Sequence, residues 1–197
     1  MLTNRCCSSK PTPCITVMRW IILAASLTAF ACGDVAAPKR GAQLPDVGWA
    51  PTPVWTAERA LAWTTVGPGD IFYELGCGDG RVAIVAARLG AKVVCVEIDA
   101  ALASAASLAA KAADMEDRIQ VVRGDLFEVD LSPATVVFIF LLPKLNARLR
   151  PIFESSLRPG TRILSREFEI DGWPPGNRLE LPGFLFLSWT MPVKKQN

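Results

Sequence analysis

At 197 residues the chain has room for one ordinary domain and a tail, and an apolar share of 51% suffices for a sizeable core. A formal net charge of +2 sets up no strong field and argues against nucleic acid as a partner. The chain has no histidine, which removes the commonest metal ligand and the commonest general base at neutral pH.

Residues 1–32 read as a leader. Arg19 precedes an apolar run over 20–31, and Cys32-Gly33-Asp34 follows; a positive residue, a short apolar core and small residues are the marks of a secretory signal. The run is too short for a bilayer, which takes about 20 residues. Ala29-Phe30-Ala31-Cys32 resembles a bacterial lipoprotein lipobox with a bulky Phe30 in it, which would put a lipid on Cys32. An uncleaved membrane-associating leader and a peptide removed without lipidation are the alternatives. Met18 makes a more compact start than Met1 and would leave Cys6, Cys7 and Cys14 untranslated. The expected location is the membrane, as an envelope lipoprotein, with the cytoplasm as the alternative. Residues 33–49, rich in Ala, Pro, Lys, Arg and Gly, read as a linker, and 50–197 as the folded domain.

Pro51-Thr52-Pro53 opens a helical pattern over 54–63, with Thr52 as the expected N-cap, Pro53 in the first turn, and Val54, Trp55, Ala57 and Leu61 as its inner side. Gly67-Pro68-Gly69-Asp70 is a turn, and 71–75 a first strand. Glu74-Leu75-Gly76-Cys77-Gly78-Asp79-Gly80-Arg81 then hands over to a helix over 81–89 that stops at Gly90. Alternating glycines let the backbone curl and approach a ligand, and the N–H groups of the next helix face it. The dinucleotide fingerprint wants a glycine where Arg81 stands, and a P-loop wants Gly-Lys-Ser/Thr, so both fail. The carboxylate of Glu74 would repel a pyrophosphate and suit a cationic ligand.

A second strand, 92–97, is continuously apolar and ends in Glu97-Ile98-Asp99. An acid about twenty residues after a glycine turn is placed to accept from ribose hydroxyls. Glu97 takes that role, and Asp99 caps an alanine-rich helix over 100–113. The third strand, 119–123, ends at Gly124-Asp125-Leu126; Asp125 is either a turn residue or a site acid. A fourth strand, 135–140, leads into Leu141-Leu142-Pro143-Lys144-Leu145-Asn146. Residues 143–157 form one helix or two, with Pro151 opening the second. A fifth strand, 162–168, a rigid loop at 171–176 and a hairpin of 178–181 with 184–190 complete five βα-type units and a closing hairpin. Cys77 and Cys95 lack metal-ligand spacing, and no metal is expected; Cys95 reads as a small buried hydrophobe and Cys77 as a small residue suited to the turn.

The glycine turn with Glu74, Glu97 and Asp125 in order resembles the Rossmann-like S-adenosylmethionine-dependent methyltransferases over residues 50–191. Pro51-Thr52-Pro53, the turn itself and Leu141–Asn146 are similar to small bacterial relatives of the mitochondrial lysine methyltransferases of the ATP synthase c-subunit and the adenine nucleotide translocase. The resemblance implies a doubly wound α/β sheet, mostly parallel, with an antiparallel edge from the hairpin. It implies S-adenosylmethionine as cofactor and a protein lysine or a small molecule as acceptor. Glu74, Gly76, Gly78 and Gly80 would line the methionine part, Glu97 the ribose and Asp125 the adenine, with Cys77, Ile98 and Leu126 also binding the cofactor. Leu142, Pro143 and Asn146 would flank the methyl and its acceptor. Asn/Asp-Pro-Pro-Tyr is absent after the fourth strand, which disfavours amide and base nitrogens as acceptors.

Methyl transfer is an in-line displacement whose leaving group is a neutral thioether, so alignment matters more than acid catalysis. Asp79 and Glu167 are the nearest candidates for a base, and ion pairing is the competing role for each. S-adenosylmethionine is a cytoplasmic metabolite, in conflict with an exported domain. An envelope binding module on a degenerate methyltransferase fold is the alternative from another class; a nucleotide-dependent oxidoreductase is disfavoured by Arg81.

Overall fold

The structure, a computed structural model, describes residues 48–174 and 176–193. Helix α1 (Val54–Trp63) opens the domain. Strand β1 (Ile71–Leu75), helix α2 (Arg81–Arg88), strand β2 (Lys92–Glu97), helix α3 (Ala100–Ala112) and strand β3 (Ile119–Arg123) follow. After β4 (Val136–Ile139), α4 (Pro143–Ser156) and β5 (Arg162–Arg166), the hairpin β6 (Asn177–Leu181) and β7 (Phe184–Thr190) ends the fold.

The seven strands form one sheet in the order β3-β2-β1-β4-β5-β7-β6. Strands β1 to β5 pair in parallel, β7 runs antiparallel to β5, and β6 pairs antiparallel with β7 at the edge. The chain leaves β1 for β2 on one side and returns to its other side as β4. That reversal of order opens a crevice at the carboxyl ends of β1 and β4. Alternation along the strands feeds two cores. Phe72, Val93, Cys95, Val136, Phe138 and Leu164 pack beneath α1 to α3. Tyr73, Leu75, Val94, Val137, Ile139 and Ile163 pack with Leu145, Leu149 and Phe153 of α4 on the other face. Helices therefore cover both faces, as in a doubly wound sheet.

The amino ends of three parallel strands are tied by one polar cluster. Asp70 accepts from the Thr135 hydroxyl at 2.7 Å and from the Gly67 N–H at 2.9 Å, and pairs with the Arg162 guanidinium. The cluster fixes the register from β1 to β5 at the end opposite the crevice.

Several local expectations are corrected. Pro53, not Thr52, occupies the N-cap of α1, and no side chain caps that end. Thr52 is buried, with its hydroxyl taken by Arg166 across the fold. Val54 and Trp55 are exposed, and the inner side of α1 is Thr56, Ala57, Ala60 and Leu61. Trp55 meets the edge of Phe184 instead. Pro151 does not open a second helix but sits inside α4, where burial of Leu149 and Phe153 on either side holds one continuous helix. Residues 124–135, between β3 and β4, carry turns and no helix, and β5 passes through a loop into the hairpin, so three of the five expected βα-type units are present. Cys77 and Cys95 are joined in a disulfide, with Cα atoms 5.4 Å apart, rather than packing as separate small residues. The turn after β1 folds back onto β2, which spacing alone did not reveal.

Candidate active site

Gly76, Gly78 and Gly80 all have positive φ, so the chain turns through conformations open to glycine at low cost. The N–H groups of Gly76 and Cys77 both donate to the Val96 carbonyl, at 2.9 and 3.0 Å, tying the turn to β2. Glu97 finishes the tie. One of its carboxylate oxygens accepts from Gly78 N–H at 2.7 Å and the other from Asp99 N–H at 2.9 Å. Asp99 in turn accepts from Ala101 and Leu102 N–H and caps α3 as expected. A single buried carboxylate thus sets both the glycine turn and the start of the next helix.

The turn floors a cleft of about 470 Å³. Glu74, Glu97 and Asp125 all line it, so the three acids share one hollow. Glu74 is buried, and its Oε2 has no hydrogen-bond partner. Burial pushes its carboxyl pKa well above the usual range; the Ala83 N–H opposes this, and the Asp79 and Glu97 charges add to it. Asp125 accepts from the Phe127 N–H at 2.9 Å, so it is a turn residue and a cleft residue at once. Asp79 is held in a bidentate pair by Arg81, with contacts of 2.9 and 2.6 Å. Glu167 pairs with Arg166 at 3.4 Å. Neither expected base candidate is therefore a free carboxylate.

Gly76, Cys77, Ile98 and Leu126 line the cleft as expected. Gly78 and Gly80 stand behind it. A Cβ on Gly78 would meet the Trp49 indole, and one on Gly80 would lie 3.0 Å from the Ala106 Cβ, where α2 crosses α3. The expected substrate-side residues do not line the cleft. Leu142 is 49% exposed, and neither it nor Pro143 lines the cleft. Asn146 is fully buried on the inner side of α4, with its amide donating to the Glu169 carbonyl at 3.4 Å. Once α4 begins at Pro143, its inward side follows Leu145 and Leu149. Leu141 and Leu145 take the wall that Leu142 and Asn146 were expected to form. Cys32 lies outside the described residues.

Residues not singled out as site residues complete the cleft: Trp49, Pro51 and Thr52 on one side, Phe138 of β4 and Phe140 just past it, and Arg148 of α4 over the Phe127 ring at 3.8 Å. Gly48 and Trp49 belong to the cleft wall, where the sequence reads as linker. The Pro-Thr-Pro stretch was the one available signal; the rest depend on pairings far apart in the chain. Among the described residues no group of three or more His, Cys, Asp or Glu is placed to hold a metal ion.

A buried carboxylate with one unpartnered oxygen, two further acids and an apolar wall fit an adenosyl compound carrying an ammonium and a sulfonium. Fold and cleft together define an S-adenosylmethionine-dependent methyltransferase. The chain belongs to the family of the ANTKMT methyltransferase domain, whose model matches residues 74–177. It is similar to a protein-lysine N-methyltransferase of Saccharolobus islandicus, 44% identical over 134 residues, covering 67% of this chain and 83% of that one. It is also similar to the ATP synthase C-subunit lysine N-methyltransferase of Mus musculus, 28% identical over 102 residues, 52% of this chain and 41% of the mouse protein. The crystal structure of an RNA methyltransferase from Salinibacter ruber with S-adenosyl-L-homocysteine superposes with a TM-score of 0.72. It is 42% identical and covers 75% of this chain and 97% of that one. S-adenosylmethionine is the cofactor. The degenerate binding-module alternative is not supported, since the turn and all three acids converge on one cleft.

Proposed function

We propose that the chain transfers methyl groups to a protein lysine amine. The observation that carries this reading is the character of the cleft: acids at the cofactor end, and Phe140, Leu141 and Leu145 at the carboxyl end of β4. A lysine stem packs along such apolar walls while its amine reaches inward. The names of the Saccharolobus and mouse relatives support the same acceptor.

When bound, S-adenosylmethionine supplies a methyl group already activated by its sulfonium. In this reading Glu74 accepts from the cofactor ammonium, Glu97 from the ribose hydroxyls and Asp125 from the adenine amine. The aromatic wall excludes water from the acceptor. With Asp79 and Glu167 both ion-paired, the lysine sheds its proton to solvent before it enters.

The Salinibacter protein is named an RNA methyltransferase, which makes RNA the competing acceptor. A formal net charge of only +2 disfavours it, because a polyanionic backbone gains its affinity from Lys and Arg. Labelled methyl transfer into a lysate separates the two. Protein labelling is expected to survive ribonuclease and to yield methyl-lysine after digestion; label lost to ribonuclease would overturn the lysine assignment.

We further propose that residues 1–32 direct the chain to the cell envelope. The Cys77–Cys95 disulfide supports an oxidising compartment, where such bonds persist. Among the described residues no helix is long and apolar enough to cross a membrane. Fractionation of cells carrying the Cys32→Ala variant tests lipid anchoring: release from the membrane is expected, and unchanged retention would contradict it.

A further inference from the structure

Residues 48–52 run along one side of the cofactor cleft as a strap leading into α1. At one end the Trp49 indole lies against Gly78 of the glycine turn. At the other, Pro51 and Thr52 reach the carboxyl ends of β4 and β5. Pro51 and Pro53 have no N–H to give. Among the described residues, no backbone–backbone hydrogen bond ties 48–52 to the rest of the fold. Among them too, both side-chain hydrogen bonds onto the strap come from one residue, Arg166, the last of β5. Its Nη1 donates to the Pro51 carbonyl at 3.1 Å and to the Thr52 hydroxyl at 3.1 Å.

The same guanidinium holds the facing wall. It lies 4.0 Å over the ring of Phe140, which lines the cleft, and 5.0 Å from Phe184. Just past it the chain makes a tight turn. Phe168 N–H donates to the Arg166 carbonyl at 2.9 Å around Glu167, whose φ is 69°. That is the strained γ-turn geometry, rare at a non-glycine residue. The turn brings Phe168 back to stack on Phe140 with centroids 6.5 Å apart. Phe140 is thus in contact with both Arg166 and Phe168. Arg166 is 8% exposed, and its Nε faces the Glu167 carboxylate at 3.4 Å, so the fold carries a largely buried cation with one ion pair and a strained turn at one place beside the cleft.

We propose that Arg166 is a positioning residue for methyl transfer: it pins the 48–52 strap and Phe140 as the two walls that close the cleft around cofactor and acceptor. The inference rests on the cleft being the cofactor site and is independent of the acceptor's identity. Its planar fork suits the task, since one guanidinium reaches a carbonyl, a hydroxyl and a ring face together. A lysine ammonium can donate to the strap oxygens but has no planar face to lay over Phe140.

The test uses the full chain with S-adenosylhomocysteine as probe. The variants are Arg166→Met, Arg166→Lys, Thr52→Val and the double variant Arg166→Met/Thr52→Val. Two quantities are read: the dissociation constant, and amide exchange at residues 49, 50 and 52 with and without probe. In the wild type the probe is expected to slow strap exchange about tenfold or more. Arg166→Met should remove that protection and weaken binding about tenfold, and Arg166→Lys should restore part of both. Thr52→Val alone should cost about threefold, and should add nothing once Arg166 is gone. A purely structural Arg166 would lower the melting temperature while leaving strap protection and affinity as in the wild type; that result, or additive Thr52 and Arg166 effects, overturns the proposal. Should Arg166→Met not fold, Thr52→Val decides alone, and unchanged affinity with unchanged strap protection refutes the pin. Failure of the wild type to bind the probe would instead strike the cofactor site itself.

Discussion

Glu74 is the residue whose chemistry the site leaves most exposed to measurement. It is a buried acid with one oxygen lacking a partner, beside two other carboxylates. Because burial raises its pKa, the folded empty domain holds a proton that the unfolded chain has already released. Stability of the empty domain should therefore fall as pH rises from the ordinary glutamate range through the raised value. A cationic ligand reverses this by favouring the ionised carboxylate, so cofactor binding should release a proton and tighten with pH across the same window. Calorimetry in buffers of different ionisation enthalpy reads that proton directly. Glu74→Gln should abolish the release, flatten the pH dependence of stability and weaken binding about tenfold to a hundredfold; unchanged proton release in this variant would clear Glu74 of the role. Glu74, Glu97 and Asp125 were legible in the sequence because each stands at the end of an apolar run, and position along a strand is a local pattern. Arg166 was not, because its meaning lies in Thr52, 114 positions away. Trp49 was hidden in the same way, inside a stretch whose composition resembles a linker.

The strands and the helices α2 and α3 lay open to periodicity and capping, and Asp99 caps α3 where the sequence places it. The misreadings fall where tertiary contact overrides local preference. Thr52 has the right chemistry for a cap but spends its hydroxyl on Arg166. Pro151 breaks a helix in isolation but is carried within α4 by burial on both sides. The disulfide links a turn to a strand across a separation of 18 residues, which no cysteine spacing rule marks. A crosslink closing a loop of that size contributes about 3 kcal/mol through the unfolded chain. Urea unfolding of the Cys77→Ala/Cys95→Ala variant should show a loss of that order, matched by the wild type under reductant; a loss seen only with reductant would point elsewhere. At the opposite end of the sheet, burial raises the Asp70 pKa, but the Thr135 and Gly67 hydrogen bonds and Arg162 together hold it below the usual range. A depressed carboxylate contributes stability that is present above its unfolded pKa and lost as pH falls through the folded one. Asp70→Asn should therefore cost about 1–3 kcal/mol at pH 7 and progressively less in acid. An equal cost at both pH values would show that the charge is not what matters.

At the scale of the whole molecule, topology and function are one argument. A strand order that reverses between β1 and β4 opens a crevice, and the glycine turn after β1 falls beside it. The doubly wound class was legible from the alternation of apolar runs and helices. The helix-free passage over 124–135 was not, since its turn residues suit either a loop or a short connection to a helix. The acceptor side was the least legible part: which residues around the start of α4 reach the cleft depends on how the helix packs, and Leu141 and Leu145 line it while Leu142 and Asn146, one position further on, do not. Everything functional rests on the carboxylate-lined cleft receiving S-adenosylmethionine. Titration calorimetry of the wild type and of Glu97→Ala with that compound tests this most directly. One-to-one binding by the wild type, lost or weakened at least about a hundredfold in Glu97→Ala, is the predicted result. No binding to the wild type, or equal binding by the two proteins, would contradict it.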